Sequence, residues 1–203
     1  MIITDKEQLN IKCEPCKSVE EGEKIAVKLL EELNNSKIPG IGLAANQIGI
    51  NKRVCVINVK EPLVLINPKI VETSEDKFLF LEGCLSFDDA TIKTARYKWV
   101  KVHADNHTST LYFSVWDEDN EEGYNKQDKL NYALETACVQ HEIDHLDGIT
   151  MFEREVKGVT LKRESKKLKR NDKVTITKGS ESKVLKYKKI EPFLEDGWSL
   201  SEQ

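Results

Sequence analysis

The chain has 203 residues, 39% hydrophobic and 33% charged, with a formal net charge of −4. That balance excludes a disordered polymer or a fibrous repeat and supplies apolar material for one core. No apolar run approaches the roughly 20 residues that span a bilayer, so a soluble globular protein with no membrane partner is expected.

The N-terminus, MIITDKEQLNIK, lacks the apolar core of a secretory leader and the Arg/Ser bias of a transit peptide, and a cytoplasmic location is expected. Five scattered cysteines are an odd number, which argues for a reducing compartment over a disulfide framework. Cys13 and Cys16 form a lone C-x-x-C and read as ordinary loop cysteines. A helix is predicted from Ser18, which with Glu21 forms a capping box. Ile25, Ala26, Leu29, Leu30 and Leu33 make its inward face, and Asn34–Asn35 ends it. KIPGIGLAANQIGI, residues 37–50, reads as a glycine-rich loop where backbone comes close to something.

RVCVINV (with Cys55 in the core), PLVLINP and FLFLEG read as strands, and YKWVKVHAD with LYFSVW as a hairpin. The acidic stretch 117–128 reads as a loop. The next helix is predicted over Gln127–Asp147, stopped by Gly148. Leu130, Leu134, Ala137, Cys138, His141 and His145 share its inward side. KVTITKG and KVLKYKKI form a last hairpin, and LKRESKKLKR a short helix. The fold class is α+β: short, mostly antiparallel strands around one central helix, with an N-terminal helix before it.

His141 and His145 are four apart, so on a helix both rings face one way and can share one ion. Glu142 points about 100° away and can reach a water at that ion. Because the histidines continue an apolar stripe, an unliganded surface placement is disfavoured, and a buried pair without a ligand is costly. One more ligand is needed. Cys84, His103 and His107 are the candidates, and spacing alone leaves the choice open. A thiolate beside two imidazoles suits iron(II) or zinc.

Three stretches in order, GIGLAANQ at 40–47, EGCLS at 82–86 and QHEIDHLDG at 140–148, give the chain a resemblance to the peptide deformylases. That resemblance implies a metal held by Cys84, His141 and His145, and removal of formyl from the formyl-methionine of new polypeptides with release of formate. A metal there lowers the pKa of its water, and Glu142 serves as base and then as acid. By the same carry-over, the Gln47 side-chain amide and the Leu85 backbone N–H stabilise the oxyanion. The peptide adds as a strand along Ile41 and Gly42. The methionine pocket takes in Ile41, Gly42, Phe80, Leu134, Ala137, Cys138 and His141. Glu82 and Arg96 match positions near the substrate and read equally as a structural ion pair. The family's usual metal is Fe(II), with Zn, Ni or Co as possible substitutes.

The resemblance has edges. EGCLS runs into Phe87–Asp88–Asp89, where the family commonly has an aliphatic residue and proline. Residues 157–190 carry thirteen Lys/Arg against three Asp/Glu, a net +10, whereas residues 1–156 are net −10. The chain is accordingly read as a catalytic domain over 1–156 and a basic extension over 157–203, packed on that domain or in contact with the ribosome. Two other readings accompany the deformylase: an H-E-x-x-H metallopeptidase with a different third ligand, and an inactive module that binds ribosomes or N-termini.

Overall fold

A computed structural model of the protein describes residues 2–115, 126–157, 173–178, 181–189, 192–193 and 198–200. The chain divides into two compact units, Met1–Gly158 and Val159–Gln203.

In the first unit, α1 spans Lys6–Leu9 behind Asp5, whose carboxylate accepts from the N–H groups of Glu7 and Gln8. Helix α2 spans Val19–Asn35. Ser18 caps it as predicted, its Oγ accepting the Glu21 N–H at 3.2 Å. The reciprocal bond differs from a standard box, because the Glu21 carboxylate accepts from Lys17 N instead. The predicted inward face holds: Ile25, Ala26, Leu29 and Leu33 are buried in one apolar cluster with Val54, Val56 and Ile66.

The glycine-rich stretch is more ordered than a loop. Gly42–Ala44 forms strand β1, antiparallel to β2 (Val54–Asn58), which pairs in turn with β3 (Pro62–Ile66). Its small side chains let the backbone itself be buried, and a 3-10 turn, Ala45–Ile48, follows. Strands β4 (Lys69–Thr73), β5 (Lys77–Cys84), β6 (Phe87–Tyr97), β7 (Trp99–His103) and β8 (Leu111–Ser114) complete the unit's strands. β5 and β6 form one hairpin around the two-residue turn Leu85–Ser86. β4, β7 and β8 form a sheet in that order. The expected β7–β8 hairpin is present, whereas β4 and β6 were not read from the sequence. Both carry charged residues throughout and bury few side chains, so neither shows the apolar run that announces a strand.

Helix α3 spans Lys126–Leu146. Every residue from Thr136 to Leu146 is buried, so the last three turns run through the core on all sides. The inward stripe predicted from Leu130 starts later than expected, since Leu130 is 49% exposed. Val139, Ile143 and Leu146 pack with Cys55, Ile57, Leu65, Val100 and Val102. Gly148 ends the helix at φ 73°, and a Cβ there would lie 2.5 Å from the Asn10 carbonyl oxygen, so both conformation and space demand glycine. A 3-10 turn, Met151–Arg154, follows.

In the second unit, β9 (Lys173–Lys178) and β10 (Glu181–Lys186) make the predicted hairpin, and β11 (Ser199–Leu200) pairs with the other edge of β9. Among its described residues, Val174, Ile176 and Trp198 form a buried apolar cluster. The acidic stretch at 117–125 and the short helix expected at 161–170 lie outside the described residues. The ladders of both units are antiparallel, and the fold class is α+β as expected. Among the described residues, no helix is long and apolar enough to cross a membrane.

Candidate metal centre

Two elements supply the centre. Buried α3 presents His141 and His145 one turn apart, with ring centroids 4.8 Å from each other. The end of β5 presents Cys84, whose Sγ lies 3.3 Å from His145 Nε2. One donor atom from each of the three residues falls within 4.8 Å of the others. His103 and His107 stand elsewhere: His103 faces Asp105 on the surface, and His107 Nε2 meets the Val64 carbonyl at 3.0 Å.

Strand alternation explains how β5 serves the site. Glu82 and Cys84 are two apart and point to the same side of the hairpin, toward α3. Cys84 is the ligand candidate, while Glu82 Oε2 accepts from His141 Nδ1 at 2.9 Å and leaves the ring's Nε2 free for an ion. Gly83 points the other way. A Cβ there would meet nothing within 4 Å, so no protein packing demands the glycine.

Glu82 is itself gripped. Thr94 Oγ1 donates to Oε1 at 2.7 Å, and Arg96 forks onto both carboxylate oxygens. Arg96 also donates to Asp144, on which Arg154 makes two further bonds at 2.9 and 2.7 Å. Arg96 is 3% exposed and does not line the cleft, so of its two expected readings the ion pair fits its placement. Burial opposes the Glu82 charge, but the bonds from Arg96 and His141 outweigh it and hold the carboxyl well below the usual range. Asp144, Arg154, Thr94 and Gln140 were not singled out from sequence. Gln140 accepts from Tyr97 N at 2.9 Å and donates to Tyr97 O at 3.0 Å, fastening α3 to the end of β6. Thr94 and Arg96, two apart on one strand face, carried a signal that only the β5–β6 register makes legible.

Gln47 sits in the 3-10 turn with its orientation fixed. Its Oε1 accepts from Ala44 N at 2.8 Å, which aims Nε2 at Cys84 Sγ (3.4 Å) and Ser86 Oγ (3.2 Å). Leu85 follows Cys84 in the turn. Glu142 is 3% exposed, and its Oε2 is buried with no hydrogen-bond partner. Such an oxygen is costly unless a proton-bearing group reaches it. Burial pushes this carboxyl up to about 7, helped by Glu82 and opposed by His141 and Arg96. Burial together with the neighbouring His141 holds His145 well below its usual value, hence neutral, the form in which imidazole ligates. Burial also opposes charge on His141, yet the hydrogen bonds it donates to Cys84 and Glu82 prevail and raise it. A proton held between thiol and imidazole is what a divalent cation displaces on binding. The donor set, the neutral His145 and the unpartnered Glu142 oxygen together fit a metal ion.

These groups open onto a cleft of about 370 Å³. Of the expected pocket residues, Ile41, Gly42, Phe80, Glu82, Leu134, Ala137, Cys138 and His141 line it. The Ile41 carbonyl accepts from Asn58 N, so the ladder's alternation turns Gly42's own N–H and C=O away from β2, to the free edge of β1.

A buried thiol–imidazole–imidazole set beside an unpartnered carboxylate, on an α+β frame with an open strand edge, defines the class: a metal-dependent hydrolase. The sequence profile of the polypeptide deformylase family matches residues 1–166. Peptide deformylase from Bartonella tribocorum is 39% identical over 134 residues, which span 62% of this chain and 66% of that protein. Among solved structures, peptide deformylase from Thermotoga maritima covers 77% of this chain and 97% of its own, at 28% identity and a TM-score of 0.61. The Synechococcus elongatus enzyme in complex with actinonin covers 78% and 79%, at 28% identity and a TM-score of 0.62. The chain belongs to the polypeptide deformylase family, metal-dependent enzymes whose reaction is removal of the N-formyl group from nascent chains.

Proposed function

We infer that this chain hydrolyses the formyl amide of formyl-methionyl peptides, yielding formate and a free N-terminal amine. The observation that carries the reading is the convergence of Cys84, His141, His145, Glu142 and Gln47 at one cleft. Cys84, His141 and His145 would hold the ion, iron(II) by preference, with zinc, nickel or cobalt able to occupy the same donor set. When bound, the ion supplies the Lewis acidity that lets a water lose its proton near neutral pH. Glu142 accepts that proton at its unpartnered oxygen and delivers it to the departing amine, acting as base and then acid. Gln47 Nε2 and the Leu85 N–H donate to the formyl oxygen as it gains charge, and loss of one such donor costs on the order of 10²–10³ in rate. Gly42 offers main-chain bonds to an extended peptide, with Ile41 beside it. Phe80, Leu134, Ala137 and Cys138 enclose the methionine side chain. Glu82 holds His141 at the cleft wall, and Arg96 holds Glu82 from behind it.

Residues 1–156 form the catalytic part on this reading and 157–203 a basic extension that contacts the ribosome, a contact readable by co-sedimentation at low salt. The reaction belongs in the cytoplasm, where nascent chains emerge.

The deciding experiment is anaerobic purification with metal analysis, then formate release from formyl-Met-Ala-Ser, with Glu142→Ala as control. About one iron or zinc per chain, with formate that disappears in the variant, is expected. Bound metal without formate from the wild type sinks the reading and points to a metallopeptidase. Absence of metal removes Cys84 from the site and points to a binding module.

A further inference from the structure

One charge in the cleft has no task in the reaction. Asp88, the second residue of β6, lines the cleft and is exposed. Among the described residues no hydrogen bond or ion pair holds its carboxylate. The residue before it is anchored. Phe87 pairs with Cys84 across the Leu85–Ser86 turn, and its ring packs edge-on against Phe152 at 4.9 Å. Asp88 therefore directly follows the cross-strand partner of the candidate ligand Cys84 and opens a bulge in β6, whose pairing resumes only at Thr91 opposite Gly83.

No lysine or arginine lines the cleft among the described residues. Of its other carboxylates, Glu82 is consumed by Arg96, Thr94 and His141, and Glu142 belongs to the proton transfer. Asp88 is thus an uncompensated negative charge beside the route an extended peptide would take along Gly42. Residues 1–156 add a net −10 around it.

We propose that Asp88 makes the cleft select formyl peptides carrying lysine or arginine at the second or third residue over those carrying acids. The proposal rests on the deformylase reading. An extended peptide advances about 3.4 Å per residue, so those two side chains leave the methionine pocket within reach of the hairpin turn. Extended side chains alternate, so one of the two positions faces the turn, where a lysine stem is long enough to bring its ammonium near Asp88 and an acidic side chain meets repulsion. Charges at such separations in partly aqueous surroundings translate into about a tenfold difference between lysine and glutamate peptides. Because this contact lies away from the formyl carbon, it is made equally in ground and transition states and appears in KM with kcat little changed.

The test uses the full metal-loaded chain, with formyl-Met-Lys-Ser against formyl-Met-Glu-Ser and formyl-Met-Ala-Lys against formyl-Met-Ala-Glu. The lysine peptide is expected to lead about tenfold in kcat/KM at one position, chiefly through KM, with the lead shrinking as salt is added. In Asp88→Asn the lysine-to-glutamate ratio should fall toward one, and in Asp88→Lys it should invert. Equal rates for the two charges overturn the proposal. A preference that survives Asp88→Asn also overturns it, assigning the effect to the unit's overall charge. Formate from none of the four peptides would instead overturn the deformylase reading itself.

Discussion

At Gly42 an added Cβ would overlap both Glu142 Oε1 and Cys138 Sγ. The residue that exposes its backbone to the cleft is therefore also the one against which the Glu142 carboxylate rests. Gly42→Ala should displace that carboxylate while leaving the three ligand candidates alone. A misplacement of about 1 Å costs on the order of 10²-fold in rate. The expected result is such a loss in kcat with metal content unchanged, measured on one preparation; full activity would show that Glu142 has room to move. Glu82→Gln tests a different dependence. Loss of the charged acceptor at His141 Nδ1 should weaken metal affinity about 10–100-fold, read by chelator competition on the zinc-loaded chain. An unchanged affinity would mean that Glu82 serves only the fold. At this scale the helix period alone was enough to bring His141 and His145 to one face of a helix, where both are buried with Glu142 between them in sequence. Cys84 could not be reached by spacing, because its meeting with His145 across 61 residues depends on a hairpin whose second strand, β6, left no readable pattern.

Among the elements, α2 and α3 lie within a residue of their predicted ends, since caps and a stop glycine mark them. The β1 edge was misread because glycine and alanine carry no strand signature even when fully buried. The junction after α3 shows how local bonds hold that helix in place. Glu153 accepts from Thr150 N at 2.8 Å and from Thr150 Oγ1, and pairs with Lys6 of α1 at 2.8 Å. Desolvation raises the Glu153 carboxyl, but the bonds from Lys6 and Thr150 prevail and hold it down at about 2. A depressed carboxyl stabilises the fold above the unfolded value of 4.5, and the contribution disappears as pH falls from there through about 2. The pair is well exposed, so its worth is at most about 1 kcal/mol. Glu153→Gln should lower Tm at pH 7 by roughly 2–4 °C at most, with the gap closing toward pH 3. A gap of equal size at both pH values would rule out the ionic part.

For the whole molecule, opposite charges divide along the sequence, −10 over residues 1–156 and +10 over 157–190. A basic segment that tracks phosphate releases counterions, and its affinity falls steeply with salt. Deleting the residues after 157 should abolish low-salt co-sedimentation with ribosomes while formate release persists, because every residue assigned to the site precedes Gly158. Unchanged co-sedimentation would leave the basic segment without that partner. The α+β class was legible because the two helices and the apolar strands β2, β3 and β7 carry strong periodic signals. The cage of Glu82, Arg96, Asp144 and Arg154 was not, since it joins β5, β6, α3 and the turn beyond α3, four places that no local pattern connects.

The brevity of β1 has a kinetic meaning. The strand is three residues long; its first residue, Gly42, turns main-chain groups outward, and the outward N–H of its last, Ala44, is taken by Gln47. A peptide seated there gains one or two rungs of ladder, each worth about 1 kcal/mol net. That is enough to align a formylated end for the moment of reaction and too little to retain the chain afterwards. Residence time then rests on side-chain contacts rather than on the ladder, and once the formyl group is gone the deformylated end departs quickly.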